Sequence, residues 1–408
     1  MNNTLVVRKI FIVLDIKNLL NIFMHMRRLI ILVLFIYSST NVFSQISEGG
    51  TPLTYDQSYL KDVKIKRSKT LARINVNKLL KADEEDGIIN RYSIYKNVDI
   101  NIKDKGSVLK TEDGTVWTFS INSENAKSLG LIFSSFKLPE GAKLYVYNAE
   151  TETVYGAFTE RNNKVYETLA VADFPGNQLT IEYFEPDDVS FKGSLVLGKV
   201  GQSYRQPLKK NATNFDKSSD INCPIGDYVQ LEKHSVAKMT YERDGVGYLC
   251  SGTLINNTKS DGTPYFLTAN HCINTSESAQ TLVTYFNYER RDCDGPTLLG
   301  KTLSGSTLKA SYQPSDMALL LLDETPTAQY QPYYAGWNAE SDSVIGSGIG
   351  IHHPAGEVKK VSIDYDQIYS YGSKINWDDL GTTPEHTHWI VGFDRGFTKG
   401  GSSGSPLF

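Results

Sequence analysis

The sequence predicts an all-β protein, and three features carry that reading. Tyr and Gly are frequent, at 24 and 32 of 408 residues, a balance that suits pleated, half-buried strands and tight turns. Long runs of helical periodicity are scarce. Short runs of alternating apolar and polar residues recur instead, separated by Pro and Gly. With 22% charged and 11% aromatic residues the composition is globular and not that of a disordered chain. The length allows about two or three ordinary domains. A net charge of -4, with no basic stripe or polybasic tail, argues against nucleic acid or an anionic membrane surface as principal partner.

The N-terminus is set apart from the fold. Arg8, Lys9, Asp15 and Lys17 interrupt the apolar character of residues 1–25 and argue against a transmembrane span. From Met26 the pattern sharpens. Arg27-Arg28 form a basic n-region, Leu29–Tyr37 ("LIILVLFIY") an apolar h-region, and "NVFSQ" offers cleavage after Ser44. Residues 1–44 therefore read as an N-terminal extension and secretory signal peptide, with Met26 the expected start. Export implies an extracellular protein with no membrane attachment after signal removal.

Residues 45–203 read as a β-rich region. A short helix is expected around "VNKLLKADEED". The alternating runs "TVWTFSI", "LGLIFSSF", "AKLYVYNA", "TVYGAFTE" and "QLTIEYFEP", with "LPEGAK" and "FPGNQ" as turns, predict an antiparallel sandwich. This region has no His and no Cys, so its expected role is folding assistance, inhibition or carriage. The polar stretch 204–220, "YRQPLKKNATNFDKSSD", reads as an exposed linker open to proteolysis.

All the cysteines, Cys223, Cys250, Cys272 and Cys293, lie in residues 221–408. In an oxidising compartment they imply two disulfides, with three pairings open. No C-x-x-C or paired Cys/His spacing supports a zinc site, and neither a metal nor a cofactor is expected. Strands are predicted in "YLCSGTLIN", "PYFLTANHC", "TLVTYFNYE", "MALLLLD", "YYAGW", "GSGIGIHH", "KKVSIDYDQI" and "HWIVGF", indicating a barrel or sandwich.

Acyl transfer by serine needs a hydroxyl, an imidazole to take its proton, a carboxylate to orient the imidazole, and N–H groups facing the developing oxyanion. "PYFLTANHC" places His271 at a strand end beside Cys272. Cys250, in the preceding strand, is the natural partner of Cys272, leaving Cys223 for Cys293. "QPSDMALLLLD" puts Asp316 before a continuous apolar run that reads as a strand buried on both faces. "KGGSSGSPLF" supplies Ser402, Ser403 and Ser405 among glycines that allow tight backbone geometry. The order His, Asp, Ser is that of chymotrypsin-like enzymes.

Here the chain resembles the trypsin-like serine proteases, and among them the bacterial lysyl endopeptidases. The matching motifs are "INCPIGDY", "CSGTLINNT", "YFLTANHC", "SDMALLLLD", "AGWN", "IHHPAGE" followed by "KKVS", and "GGSSGSP". The resemblance implies a chymotrypsin-like double β-barrel in residues 221–408, with the second barrel incomplete because the family continues past its serine. It implies His271 as general base, Asp316 as its orienting carboxylate and Ser403, in the G-x-S-G pattern, as nucleophile. It further implies an oxyanion hole from the N–H groups of Gly401 and Ser403, and the disulfides Cys250–Cys272 and Cys223–Cys293. Residues 45–203 resemble the pro-region of related precursors.

One departure bears on specificity. Relatives carry an acidic residue four positions before the serine, where this chain has Lys399 after Thr398, in the vicinity of the S1 pocket. A positive charge there disfavours a lysine side chain at P1. The expectation is a secreted serine endopeptidase precursor acting on polypeptides, with its own pro-region as partner and a lysine preference in question. The competing expectation is an impaired binding or adhesion protein on a protease-like scaffold. If lysine is preferred, self-cleavage is expected at Lys209, Lys210 or Lys217. His352-His353 reads as a strand end, His386 and His388 as a strand surface, and Gly346–Gly350 not as a nucleotide loop, since no helix follows.

Overall fold

The computed structural model describes residues 46–55, 67–207, 219–339, 345–377 and 381–408. The signal-peptide reading and Lys209, Lys210 and Lys217 fall outside these. Among the described residues no helix is long and apolar enough to cross a membrane.

The N-terminal part contains β1 (Ser68–Leu71), α1 (Val76–Glu85), β2 (Arg91–Asn101), β3 (Ser107–Lys110), β4 (Gly114–Ser123), β5 (Ser128–Lys137), β6 (Lys143–Asn148), β7 (Thr153–Phe158), β8 (Leu169–Pro175), β9 (Gln178–Pro186) and β10 (Ser194–Ser203). Helix α1 is the one the sequence predicts. Asn75 caps it, its side chain accepting the Lys78 N–H at 3.0 Å. One sheet runs β1-β4-β9-β6-β7, with β3 also on β4. It is antiparallel except where β1 lies parallel to β4.

The second sheet does not stop at the end of the sandwich. Its order is β8-β5-β10-β2, and it continues directly into β12 (Val246–Ile255), β11 (Val236–Arg243), β14 (Val283–Arg290) and β15 (Thr297–Ser304). The joint is the β2–β12 pairing, Ile94 opposite Val246 and Ser93 opposite Gly247. Gly247 allows it, because a Cβ there would lie 2.2 Å from Ser93 Oγ.

Strands β11 to β17 form a nearly closed barrel. β13 (Tyr265–Ala269) pairs with both β12 and β17 (Met317–Leu322), and β16 (Ser306–Tyr312) pairs with β17. Gly305 alone separates β15 from β16. The expectation that "MALLLL" is buried on both faces is corrected. Ala318, Leu320 and Leu322 are buried, while Met317, Leu319 and Leu321 are half-buried. The strand is barrel wall, with one face inward.

Beyond the barrel, β18 (Gly348–His352) pairs with β19 (Lys360–Asp364). "HWIVGF" contributes only Trp389–Ile390, paired with Tyr369–Ser370. "YYAGW" contributes one bridge, Ala335 to Ile255. His386 and His388 lie in a turn and not on a strand surface as expected. Their rings meet the Ser370 hydroxyl at 3.2 Å and the Thr387 hydroxyl at 2.9 Å.

Sandwich and barrel share buried structure. Val283, Tyr285, Tyr288 and Val358 belong to the core that holds Leu131, Phe133 and Val171. At this joint the buried Asp173 carboxylate accepts the hydroxyls of Tyr92 at 3.0 Å and Tyr285 at 3.2 Å. Lys238, fully buried, lies 5.1 Å over the Tyr285 ring and 4.9 Å over that of Tyr288, and donates to the Pro207 carbonyl. The linker's ends are anchored. Tyr204 donates to Asp83 at 2.8 Å, and Asp220, also buried, pairs with Lys360 and Arg290.

Candidate active site

β13 and β17 run antiparallel with Ala269 opposite Met317. The next residues outward are Asn270 and His271 on one strand and Asp316 on the other, so the register brings base and carboxylate together. Asp316 closes a short 3₁₀ turn in the left-handed region, φ 50°, a conformation Asp tolerates better than most residues. Its backbone carbonyl accepts the Asn270 N–H at 2.9 Å. Its carboxylate meets His271 twice, with Oδ1 accepting the backbone N–H at 2.8 Å and Oδ2 lying 2.6 Å from Nδ1. Burial works against the charged carboxylate, but the ring and backbone hydrogen bonds from His271 prevail and hold it below its ordinary range.

Both disulfides have the expected pairings, Cys250–Cys272 and Cys223–Cys293. The first ties β12 to the residue after His271. The second fixes the residues before β11 to the β14–β15 turn. Cys250, His271 and Cys272 lie close enough to suggest a metal group, but both sulfurs are spent in the disulfide. Asp364, Asp366 and Asp394 also cluster. There, Asp364 and Asp394 accept backbone N–H groups of Asp366, Gly392 and Tyr365.

The Gly/Ser loop packs against the barrel strands that carry His271. Ser251 on β12 donates its N–H to the Ser403 carbonyl at 2.8 Å and its hydroxyl to the Gly401 carbonyl at 2.8 Å. Gly404 lies so close to β13 that a Cβ would stand 2.2 Å from Thr268 Oγ1. Ser402 donates its N–H to the Lys399 carbonyl at 2.8 Å, and Ser405 donates to Ser402 at 3.1 Å. Among the described residues, the N–H groups of Gly401 and Ser403 have no backbone acceptor. Gly401 has φ +99°, a conformation suited to glycine.

His271 and Asp316 are thus brought into direct contact, and the Ser403 carbonyl lies 3.9 Å from Sγ of Cys272, the residue after His271. Ser403 Oγ and His271 are not hydrogen-bonded. Thr398 and Lys399 are exposed at the start of the loop. A cleft of about 880 Å³ opens over His271 and Asp316, lined also by Ser405, Pro406, Trp377, His388 and Trp389. Trp377 and His388 face each other at 5.5 Å. The sequence did not single out the two tryptophans, which lie outside any long alternating run, nor Ser251, whose role depends on a contact 150 residues away.

Residues 216–408 match the family model described as lysyl endopeptidase, C-terminal domain. This part of the chain is similar to the C-terminal domain of lysyl endopeptidases. Over 182 residues the chain is 34% identical to the lysyl endopeptidase of Pseudomonas aeruginosa, covering 42% of this chain and 37% of that protein. The chain therefore matches little more than a third of that relative's length. Solved structures similar to it include a thermostable serine protease from an extremophilic microorganism, at 16% identity and TM-score 0.30 over 44% of this chain and 79% of that one. Another is the active form of a protease from M. tuberculosis, at 17% identity and TM-score 0.28 over 46% and 69%.

Residues 216–408 carry an acid-sensitive pair at the end of β18. His352 and His353 are both buried. Burial, assisted by the Lys360 charge, pushes His352 down to about 4, and burial holds His353 well below its ordinary value. Between pH 6.5 and about 4 the unfolded chain takes up a proton at His352 that the folded chain refuses, so stability falls as pH falls. Asp173, pushed up to about 6 by burial, acts in the opposite sense, because there the folded chain takes the proton first. Urea unfolding at pH 7 and pH 4.5 isolates His352 by difference. Acidification is expected to cost wild type roughly 2 kcal/mol more than His352→Gln, and equal losses would refute this.

Proposed function

We propose that the chain is a secreted serine endopeptidase precursor that hydrolyses peptide bonds through an acyl-enzyme. His271 Nε2 takes the proton of Ser403 Oγ as the oxygen attacks the scissile carbonyl carbon. Asp316 holds the Nδ1–H tautomer and stabilises the imidazolium that forms. The N–H groups of Gly401 and Ser403 receive the oxyanion. The imidazolium then protonates the leaving amine, and water repeats the sequence on the ester to release the acid. The observation that carries this reading is the double hydrogen bond of Asp316 to His271 next to a Gly/Ser loop with N–H groups available.

The two disulfides and the sequence of the N-terminal extension support export. Residues 45–203 act as a pro-region held against the protease domain. Lysine direction is the family's, and the exposed Lys399 opposes it electrostatically, so the P1 preference is proposed to be broader than lysine. A fluorophosphonate probe tests the reading on the full chain. Ser403 is expected to be labelled, with labelling abolished by Ser403→Ala. A folded chain that takes no label, with a peptide library left uncut, would favour the non-catalytic scaffold instead.

A further inference from the structure

The buried histidine at the end of β18 makes a connection that a strand end does not require. His352 Nδ1 lies 2.8 Å from Ser402 Oγ, and Nε2 lies 3.0 Å from Ser362 Oγ on β19. Ser402 stands between Gly401 and Ser403, the two residues whose N–H groups the proposed mechanism needs. Its hydroxyl also accepts the Lys399 N–H at 3.2 Å. Ser362 accepts the Phe397 N–H at 3.0 Å and donates to the Phe397 carbonyl at 3.1 Å.

These contacts fix the protons. Ser362 spends its single hydrogen on Phe397, so it can only accept from His352, which places the ring hydrogen on Nε2. Nδ1 is then an acceptor, and the Ser402 hydroxyl donates to it. Every donor and acceptor in the chain Lys399–Ser402–His352–Ser362–Phe397 is matched under this one assignment. The opposite tautomer would leave the Ser402 hydrogen without one of these acceptors and break the bond to the Phe397 carbonyl. The next residue grips the same loop through the backbone. The His353 N–H donates to Ser251 Oγ at 3.0 Å, and that hydroxyl donates to the Gly401 carbonyl. The Ala355 N–H holds the Gly400 carbonyl at 2.8 Å.

We propose that His352 is a positioning residue for catalysis: its neutral imidazole, anchored on Ser362, locks Ser402 and thereby aims the N–H groups of Gly401 and Ser403. The inference rests on the reading of those two groups as the oxyanion hole. A bond that strengthens only as negative charge develops on the carbonyl lowers the barrier without tightening substrate binding. Loosening the lock therefore lowers kcat and spares KM.

The test uses three variants of the full chain, with rates referred to active sites titrated by fluorophosphonate. Asn can place an acceptor near the position of Nδ1, whereas Gln can reach Ser362 but offers Ser402 nothing. His352→Gln and Ser402→Ala are expected to lower kcat by on the order of 10², with KM changed less than about twofold. His352→Asn is expected to recover most of that loss. Amide hydrogen exchange at Lys399 and Ser402, whose N–H groups are bonded within the loop, supplies a readout independent of turnover, with protection lost in His352→Gln and kept in His352→Asn. The inference is overturned if Gln and Asn behave alike, or if the loss appears in KM. Wild type that neither titrates nor turns over defeats the functional reading, and the exchange comparison still decides whether His352 orders the loop.

Discussion

Asp316→Asn is expected to lower kcat by on the order of 10⁴ while leaving the fold intact. The two contacts of the carboxylate explain why. Oδ1 accepts the His271 backbone N–H and Oδ2 faces His271 Nδ1, so the site asks for two acceptors. An asparagine has one. Its oxygen will stay on the backbone N–H, which has no freedom to change, and its NH₂ then points at Nδ1. A donor there stabilises the imidazole tautomer with hydrogen on Nε2, which cannot take a proton from Ser403. Turnover and fluorophosphonate labelling should fall together, with KM and the melting temperature nearly unchanged. A loss of kcat smaller than tenfold would show that Asp316 does not set the tautomer.

The parts of this site that were legible in the sequence are those fixed by local pattern. "YFLTANHC" and "SDMALLLLD" are short strands with a polar residue at one end, and pairing β13 with β17 was enough to join His271 to Asp316. The alternating runs of the sandwich, β4, β6 and β9 among them, were visible for the same reason, as was α1 with its polar cap. What the pattern did not show depends on long-range burial. β11 carries Lys238 in a fully buried position, which breaks apolar alternation, and a polar network at a domain joint makes it tolerable. β2 reads as unremarkable polar-aromatic sequence, yet it is the strand that welds sandwich to barrel. Ser251 and Ser362 are ordinary strand serines until the fold brings the Gly/Ser loop and Phe397 onto them. The doubled His352-His353 was noticed for its motif, but its hydroxyl partners lie 10 and 50 residues away, beyond any local rule.

Residues 219–408 produced without residues 46–207 are expected not to reach a cooperative fold. The outer end of β12 takes its partner from β2, with Leu249 donating its N–H to the Asn90 carbonyl at 2.8 Å. Removing the sandwich turns this end into an exposed edge. It also uncovers Val283, Tyr285, Tyr288 and Val358, which belong to the shared core, and it takes the Pro207 carbonyl from Lys238. An ammonium group that loses the Pro207 carbonyl and its Asp173 neighbour must be rehydrated, which opens the barrel at β11. Loss of a shared core and a sheet partner exceeds the few kcal/mol of margin that a domain of this size holds. The isolated 219–408 polypeptide should lack a sharp thermal transition and near-ultraviolet dichroism, and adding residues 46–207 as a separate chain should restore both. By the same contacts, cutting the folded protein within residues 208–218 should leave the two pieces together on gel filtration. A 219–408 polypeptide that melts cooperatively within a few degrees of the full chain would show that the barrel closes without the sandwich.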